Sequence, residues 1–442
     1  MFPQGCFKDG TSPILDILAR AGVAEGRPVA AVTSSSAALD TLIQAAAALG
    51  APLFPLDPAL PDTVIGSLCD QAGAAVVVAD RDLPAGPVIP VTACIRPEGA
   101  SMPGSRYRPD SIALLVATSG SSGKPKAVML SAGALAAAAR ASHAVTPLGP
   151  GDRWLACLPL FHIGGYSILS RCALSGAKPI LHQGFDVERV WHSLTHEAVT
   201  HLSLIPAMLS RLLDYQFALP PPSLRHILVG GAALTSDLAA RAAERGWPIQ
   251  PTYGMSEMAS QVATLPDLPH SWHPGQVGRP LPGAEAALTP DGRLKVRGPM
   301  MMAGYANPML SPGDGIEDGW FVTSDLAGIG EDGGLTILGR GDDVIISGGK
   351  KILPAMVEDA VAGCPGIDSV AVLGVPDPEW GAVVAAAFCG EPSVQHLLDW
   401  CRTNVASPLR PRRLVKLDAL PLLGNGKTDR AGLRRLFERG QP

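Results

Sequence analysis

A loop rich in small, hydroxyl and cationic residues follows a short apolar run near residue 118. The run at residues 112–117 (IALLVA) is continuous and apolar, which is typical of a buried strand. The loop at residues 118–126 (TSGSSGKPK) offers hydroxyls, backbone N–H groups and two lysines, the groups that bind phosphate oxygens. A flexible surface turn is the alternative, because Gly-Ser clusters commonly form one. The loop alone leaves both interpretations open.

The spacing around Lys124 differs from that of the ordinary P-loop. That motif reads GxxxxGK[ST], with a hydroxyl residue directly after the lysine and a helix that begins there. Here Pro125 follows Lys124, and Gly120 and Gly123 have the wrong spacing. A Walker-type kinase or NTPase is therefore disfavoured. The next helix is expected later, with Ser131 as its N-cap before an alanine-rich run.

A second stretch, residues 228–257, ends in an isolated carboxylate. Its sequence, LVGGAALTSDLAARAAERGWPIQPTYGMSE, has the pattern of strand, Gly-Gly turn, helix, strand and turn. Gly230 and Gly231 would let a flat ring lie close to the backbone, and Tyr253 could stack on that ring. Glu257 supplies an oxygen ligand for Mg²⁺ beside a triphosphate. The alternative is a βαβ unit with a surface glutamate.

Two further stretches are also candidate functional loops. Residues 318–354 read DGWFVTSDLAGIGEDGGLTILGRGDDVIISGGKKILP, and residues 420–436 read LPLLGNGKTDRAGLRRL. Any one of the four stretches could be an ordinary loop. Four of them in this order are hard to explain in that way.

The surrounding elements predict an α/β fold of at least two domains. Strand-like runs at residues 74–80 and 227–229 alternate with helical runs at 37–49 and 236–245, which indicates parallel sheets covered by helices. From residue 292 the texture changes to short β-like pieces, and a Gly/Asp-rich run follows at 338–351. We expect an N-terminal domain at residues 1–341 and a separate C-terminal domain of about 100 residues at 342–442.

The composition disfavours a nucleic-acid-binding, a membrane-spanning and a disulfide-rich protein. The chain has 442 residues, 17% charged residues and a formal net charge of −5, without a basic run that could follow a nucleic-acid backbone. Nucleic acid is therefore an unexpected partner. The sequence shows neither a signal peptide nor an apolar stretch long enough to span a membrane, so a cytoplasmic location is expected. The eight cysteines lie far apart, which favours buried thiols over a zinc site or disulfides.

Together the four stretches resemble the adenylate-forming superfamily, which includes acyl- and aryl-CoA synthetases, adenylation domains and luciferases. The resemblance covers nearly the whole chain in the family's order. It implies that a carboxylate attacks the α-phosphate of Mg-ATP to give an acyl-adenylate and pyrophosphate. A thiol, commonly that of coenzyme A, then displaces AMP. The expected cofactors are therefore ATP, Mg²⁺ and coenzyme A, and the fold implied is a large α/β part with a β-barrel-like piece and a small mobile α+β cap.

The resemblance also assigns the nucleotide site residue by residue. Glu257 is expected to ligate Mg²⁺, and Ser256 to touch the α-phosphate. Asp325 is expected to accept hydrogen bonds from both ribose hydroxyls, with Arg340 nearby on the same nucleotide. The other ATP-binding residues expected are Thr118, Ser119, Gly120, Ser121, Ser122, Gly123, Lys124 and Lys126 at the phosphates, Gly231, Ala232 and Tyr253 at the adenine, and Gly254 beside them.

In the C-terminal part, Lys427 resembles the lysine that bridges the carboxylate and the α-phosphate. In the family the small domain rotates between the half-reactions about a residue that matches Asp342. One pose inserts Lys427, and the other brings the loop with Gly348, Gly349 and Lys350 toward the thiol tunnel. Many relatives carry an acidic residue where Lys350 stands. The details of thiol delivery therefore stay open.

The segment at residues 158–182 resembles part of the acid pocket and its gate, and it looks most like the o-succinylbenzoate–CoA ligases of menaquinone synthesis. His162 is expected to border the acyl site as a catalytic residue. Arg171 stands where those ligases carry a basic residue, and its planar guanidinium suits a second carboxylate or a keto group. An exposed helix cation is the alternative. Gly164 replaces a serine of some relatives, and Ser260 and Gln261 are expected to line the same pocket.

Three other functions stay open. The chain could ligate another aryl or acyl acid, or it could be a stand-alone adenylation enzyme that loads a carrier protein. It could also bind a nucleotide without turnover, although Glu257, Asp325, Arg340 and Lys427 are all present, which speaks against that. A monomer or a homodimer is expected.

Overall fold

The computed structural model describes residues 12–84, 86–94, 102–118, 125–215, 219–423 and 428–438. The helices, numbered in chain order, are α1 Pro13–Arg20, α2 Ser36–Leu49, α3 Asp62–Ala72, α4 Ala132–Val145, α5 Ile163–Ser175, α6 Val187–His196, α7 Pro206–Asp214, α8 Ser236–Glu244, α9 Pro354–Ala362, α10 Val394–Asn404 and α11 Arg430–Glu438. The strands are β1 Val29–Val32, β2 Leu53–Leu56, β3 Val76–Ala79, β4 Val88–Pro90, β5 Ile112–Thr118, β6 Lys126–Ser131, β7 Arg153–Ala156, β8 Lys178–Leu181, β9 His201–Leu204, β10 His226–Val229, β11 Ile249–Met255, β12 Ser260–Thr264, β13 Gln276–Gly278, β14 Glu285–Leu288, β15 Arg293–Arg297, β16 Gly304–Tyr305, β17 Phe321–Ile329, β18 Leu335–Arg340, β19 Ile345–Ser347, β20 Lys350–Ile352, β21 Ile367–Asp377, β22 Gly381–Gly390 and β23 Arg413–Lys416.

The first layer is a seven-stranded sheet in the order β16-β6-β5-β2-β1-β3-β4. Strands β1 to β5 run parallel, and β6 and β16 are added antiparallel at one edge. The central strands VAAV, LFPL and VVVA are buried at every residue. Continuous apolar strands of this kind are expected where helices cover both faces of a parallel sheet.

A second, six-stranded sheet has the order β12-β11-β10-β9-β7-β8 and is parallel except for β12. Helices α4 and α5 pack against each other, and α4 also contacts strands of both sheets. Because α5 packs on β7, β8 and β12, its side chains face the second sheet. The elements that carry the predicted acid pocket therefore lie at the junction of the two large sheets.

A five-stranded antiparallel sheet, in the order β13-β18-β17-β15-β14, contains the β-like pieces expected from residue 292. Its first two strands, β13 and β14, begin before that residue. Its longest pairing, β17 with β18, sets Asp325 opposite Arg340. A 3₁₀ turn at Gly341–Asp343 follows directly after β18. The chain thus enters the predicted hinge region from a strand that belongs to the large part.

The C-terminal part contains a sheet in the order β20-β19-β22-β21, with β23 parallel to β22, and helices α9, α10 and α11. Its buried apolar residues form two clusters drawn only from residues after Asp343. Among the described residues, the clusters of the large part contain none from this region. The predicted boundary at 341/342 stays a prediction, although the cores on its two sides are distinct.

Local signals explain where the helices begin and end. Ser131 caps α4 by accepting a hydrogen bond from the N–H of Ala134, 3.0 Å away, as predicted. Ser35 caps α2 in the same way, and Gly50 ends it in the left-handed conformation at φ 69°. The predicted fold class is confirmed. The seven described cysteines are buried and unpaired, and the described helices are all too short or too polar to span a lipid bilayer.

Candidate active site

The Gly-Gly turn directly follows β10, a strand of the second sheet. A Cβ atom on Gly230 would come within 2.6 Å of the Thr252 carbonyl oxygen, so only glycine fits there. Gly231 has φ 80°, which also favours glycine, and it is exposed together with Ala232. The backbone at Gly231 and Ala232 is therefore accessible, and their predicted role at the adenine stays a prediction.

Tyr253 on β11 connects the second sheet to the antiparallel sheet. Its hydroxyl donates a hydrogen bond to Oδ2 of Asp325, 2.5 Å away. Burial and the charge of Asp325 raise the pKa of Tyr253 well above its usual value, so the phenol stays protonated and remains a donor. With Arg340 opposite Asp325 in the β-ladder, the structure brings together three residues predicted to bind the nucleotide.

Glu257 lies in the 3₁₀ turn Ser256–Met258, next to Ser256, which was predicted to touch the α-phosphate. Its Oε1 accepts a hydrogen bond from the Tyr305 hydroxyl at 3.0 Å. Burial raises the pKa of Glu257, whereas the Tyr305 hydrogen bond and the positive charge of Arg340 lower it. A partly desolvated carboxylate of this kind would be stabilised by a cation.

Tyr305 is a site residue that the sequence did not reveal. Strand β16 pairs with β6 and sets Tyr305 opposite Val128. The Lys126 ammonium lies over the Tyr305 ring, 4.5 Å from its centroid, while the phenol hydroxyl reaches Glu257. Tyr305 therefore joins the base of the predicted phosphate loop to the predicted Mg²⁺ ligand.

The predicted phosphate loop begins and ends on paired strands. Thr118 at the end of β5 lies opposite Lys126 at the start of β6. The residues between them that were predicted to bind phosphate lie outside the described residues: Ser119, Gly120, Ser121, Ser122, Gly123 and Lys124. Lys427 also lies outside them, between the bridge partners Leu422 and Thr428. The roles of these residues stay predictions.

Arg171 on α5 is buried, with 2% of its surface exposed, and is not the exposed helix cation that was the alternative. Its Nη2 donates to the Ser260 hydroxyl at 3.1 Å, and its Cζ lies 5.2 Å from the Trp154 ring centroid. Its Nε has no hydrogen-bond partner among the described residues. Burial lowers the pKa of Arg171 to about 10, so the side chain is still a cation at neutral pH. Trp154 and Ser167, whose Oγ lies 3.2 Å from that of Ser260, were not predicted.

The backbone around Ser260 is unusual. Ala259 has φ 51° and Ser260 has φ 113°, in the left-handed region that non-glycine residues rarely adopt. Gly254 makes this possible, because a Cβ atom there would lie 2.0 Å from the Ser260 carbonyl oxygen. The bulge between β11 and β12 thus turns the Ser260 hydroxyl toward Arg171. Backbone strain of this kind is common at functional sites.

The side chain of Gln261 makes its hydrogen bonds in a different place from that of its neighbour Ser260. Its Oε1 accepts from the Ser142 hydroxyl at 2.6 Å, and its Nε2 donates to Thr264 at 2.6 Å. Gln261 is 4% exposed, so the structure places its amide in the packing between α4 and β12. A role at the acid pocket stays a prediction for this residue.

The predicted gate lies at the start of α5. His162 occupies the N-cap position, and its ring makes an edge contact with Phe161 at a centroid distance of 4.7 Å. Phe161 also lines a cavity of about 130 Å³ with Thr33, Leu158 and His182. Gly164 follows in the first turn of α5, where an added Cβ atom would lie 3.5 Å from the Leu158 side chain.

The loop predicted to approach the thiol forms the β19–β20 hairpin. Gly348 and Gly349 have φ 55° and 77°, and a Cβ atom on Gly348 would come within 2.7 Å of the Trp380 ring. Lys350 is exposed and lies opposite Ser347. Gly348 and Gly349 therefore form a tight turn, and Gly348 packs against the Trp380 ring.

Two protein families match this chain. The family described as AMP-binding enzyme matches residues 16–306, and the one described as AMP-binding enzyme C-terminal domain matches residues 356–427. The chain belongs to the AMP-binding enzyme family. The family predicted from the four sequence stretches is therefore confirmed.

Individual relatives of this AMP-binding enzyme match it over almost its whole length. The 2-succinylbenzoate–CoA ligase of Bacillus cereus (strain Q1) is 32% identical over 437 residues, which are 95% of this chain and 91% of that protein. The o-succinylbenzoate CoA synthetase of Bacillus subtilis in complex with the acyl-adenylate intermediate OSB-AMP is 30% identical, with a TM-score of 0.85 over 96% of this chain and 91% of that one. A double mutant of that synthetase bound with its product analogue OSB-NCoA has the same identity, covers 96% and 92%, and has a TM-score of 0.70.

Proposed function

We propose that this AMP-binding enzyme is an ATP-dependent, AMP-forming acid–CoA ligase that acts on o-succinylbenzoate. The predicted reaction class agrees with the names of relatives at 32% and 30% identity. The observation that carries the choice of acid is the guanidinium of Arg171. It is buried, and in the described part of the chain its contacts are a hydroxyl and an aromatic ring rather than a carboxylate.

A buried cation without a counter-charge is unfavourable, because desolvation is not offset by an ion pair. An acid with a second carboxylate could pair with Arg171 while its first carboxylate reacts. The Nε, which has no hydrogen-bond partner in the described ranges, gives a second N–H beside Nη2, and this suits bidentate binding. A monocarboxylic acid would leave the guanidinium uncompensated, so the pocket should favour diacids.

The nucleotide site fits Mg-ATP. Within the described ranges, no group of three or more His, Cys, Asp or Glu side chains forms a metal site. Mg²⁺ commonly binds through one or two carboxylates plus phosphate oxygens, and Glu257 is a carboxylate in that position. Bound Mg²⁺ would screen the negative charge of the phosphates. Asp325, held by the Tyr253 hydroxyl, would accept hydrogen bonds from the ribose.

In the first half-reaction, a carboxylate oxygen of the acid forms a bond to the α-phosphorus, and the bond from that phosphorus to pyrophosphate breaks. We assign Lys427 to the space between the two anions, where its charge offsets their repulsion. In the second half-reaction, the sulfur of CoA attacks the carbonyl carbon of the adenylate. The C–O bond to AMP then breaks, and the thiol proton passes to solvent.

The test is pyrophosphate release with Mg-ATP and CoA across a panel of acids, with the acyl-CoA products weighed by mass spectrometry. The panel contains o-succinylbenzoate, benzoate, malonate, and short and medium fatty acids. We expect kcat/KM to be highest for o-succinylbenzoate. Turnover of a different acid would keep the reaction class and reject the proposed substrate.

Arg171→Leu tests the reason for that preference. We expect kcat/KM for o-succinylbenzoate to fall about 100-fold, as for loss of a charge-assisted pair, with little change for benzoate. Arg140→Leu, which removes an exposed cation from α4, is the matched control. Equal losses for both acids in Arg171→Leu would contradict the assignment.

The other functions are outcomes of the same experiment. Product formed only with a carrier-protein phosphopantetheine would identify a stand-alone adenylation enzyme. ATP binding without pyrophosphate release for any acid would identify a nucleotide-binding protein without turnover. We also propose a cytoplasmic enzyme that is a monomer or a homodimer, which cell fractionation and light scattering would test.

A further inference from the structure

A carboxylate of the C-terminal part caps a helix of the large part. Asp359 on α9 accepts a hydrogen bond from the Ser236 N–H at 2.8 Å and one from the Ser236 hydroxyl at 3.3 Å. Ser236 is the first residue of α8. In the sequence, Ser236 precedes the 3₁₀ turn Gly341–Asp343 and Asp359 follows it. Helix α9 also packs against β18, the strand that leads into that turn.

The start of α8 is a suitable place for this contact. The first N–H groups of a helix have no partner within it, and they carry partial positive charge. Thr235 uses its side chain for the N–H of Leu238, which leaves the N–H of Ser236 available. The Asp359 carboxylate therefore makes a charge-assisted hydrogen bond where the helix favours an anion.

The same region of α9 is tied to the segment that follows Lys427. Glu358, next to Asp359, accepts a hydrogen bond from Arg430 Nη2 at 2.8 Å. The same oxygen of Glu358, Oε1, also accepts from the Val372 N–H at 2.9 Å, so two donors hold it. Arg430 begins α11, three residues after Lys427 in the sequence. A displacement of α9 away from α8 would therefore move this whole segment.

The structure as a whole is more similar to one of the compared structures than to the other. The TM-score is 0.85 for the synthetase with OSB-AMP and 0.70 for the double mutant with OSB-NCoA, although identity and coverage are almost equal. The contact between Ser236 and Asp359 thus occurs in a structure that is more similar overall to the OSB-AMP complex than to the OSB-NCoA complex.

We propose that Asp359 is a positioning residue for the first half-reaction. Its contact with Ser236 holds α9, and with it the segment after Lys427, in the arrangement that forms the adenylate, and the contact breaks before CoA reacts. This inference rests on the proposed two-step function. Removal of the contact should therefore slow the first half-reaction and leave the second unchanged or faster.

Two substitutions remove the contact from opposite sides. Asp359→Ala removes the acceptor, and Ser236→Pro removes the backbone donor. Proline is tolerated at the first position of a helix, and Thr235 before it already has the extended conformation that proline requires, with ψ 157°. Asp237→Asn is the matched control, because Asp237 lies beside Ser236 on the exposed face of α8 and pairs with Arg241. Asp359→Glu tests rescue by a longer carboxylate.

Single-turnover pyrophosphate release without CoA reports the first half-reaction, and conversion of pre-made acyl-adenylate with CoA reports the second. We expect Asp359→Ala and Ser236→Pro to slow the first by about 5- to 10-fold, as for one charge-assisted hydrogen bond at a helix terminus. Asp359→Glu should recover part of this loss, and Asp237→Asn should behave like wild type. Equal effects on both half-reactions, or no effect, would overturn the proposal.

Small-angle X-ray scattering separates this inference from the proposed function, because it requires no turnover. The full-length chain with either contact-breaking substitution should show a broader distance distribution than wild type and Asp237→Asn. If wild type turned over no acid, the proposed function would fail, and scattering would still decide whether the contact between Ser236 and Asp359 holds the two parts together. If the scattering profiles of Asp359→Ala and Ser236→Pro were identical to that of wild type, the proposed role of the contact would be wrong.

Discussion

The phenol of Tyr305 donates a hydrogen bond to Oε1 of Glu257 across 3.0 Å. This bond lowers the pKa of Glu257 and opposes the larger rise caused by burial. Tyr305→Phe removes the opposing effect, so the pKa of Glu257 should rise further. We expect the acidic limb of the kcat/KM profile for Mg-ATP to move to higher pH, with little change at alkaline pH.

The measurement is pyrophosphate release as a function of pH for wild type and Tyr305→Phe. Tyr215→Phe, at the end of α7, provides a control for loss of a phenol elsewhere. A limb that stays in place or moves to lower pH would show that the hydrogen bond does not tune Glu257.

Glu257 should also make the stability of the metal-free protein depend on pH. Because its folded-state pKa is raised, its contribution to stability is present below the unfolded pKa and is lost as pH rises through the folded pKa. Glu257→Gln cannot ionise, so its melting temperature without Mg²⁺ should exceed that of wild type by roughly 1–3 °C at neutral pH and match it at acidic pH. Thermal melts with and without Mg-ATP check this, and Mg-ATP should stabilise only wild type.

Gly164 and Gly165 should respond in opposite ways to the same substitution. Among the described residues, a Cβ atom on Gly164 would meet only the Leu158 side chain, at 3.5 Å, whereas one on Gly165 would lie 2.3 Å from the Pro159 carbonyl oxygen. Gly164→Ser should fold normally and change the relative kcat/KM of the acids. Gly165→Ser should lose about 1–3 kcal/mol of stability or more, because backbone must move. Chemical denaturation and the acid panel measure the two effects.

Lys427→Ala should abolish adenylate formation and largely spare the reaction of a pre-made acyl-adenylate with CoA. The expected loss in the first half-reaction is about 100-fold or more, as for removal of a charge that stabilises a transition state. Lys416→Ala is the control, because Lys416 is exposed and its ammonium bonds the Glu391 carbonyl. Equal loss of both half-reactions would contradict the two-pose assignment of Lys427.

The features predicted best are those whose signal is local. The strand before the Thr118 loop, the cap at Ser131 and the Gly-Gly turn at Gly230 are each fixed by a few adjacent residues, and each occurs where it was predicted. The family motifs added residues that meet only in the fold, such as Tyr253 and Asp325.

Residues that depend on long-range packing were harder to predict. Tyr305 reaches Glu257 because β16 pairs with β6. The local sequence at residues 300–305 (MMMAGY) does not predict this pairing. The burial of Arg171 depends on Trp154 and on the turn at Ser260, which are distant in the sequence. Gln261 follows Ser260 directly, yet its amide bonds Ser142 in the core, because successive side chains on a strand point to opposite faces.

The separation of the apolar clusters before Arg340 from those after Asp343 has a consequence for synthesis of the chain. Domains fold as units, and the N-terminal one folds first while the ribosome is still translating. The large part can therefore complete its core before the last hundred or so residues emerge. We infer that a nascent chain forms the predicted nucleotide site before Lys427, the predicted catalytic lysine, is synthesised, so that it binds ATP before it can form an adenylate.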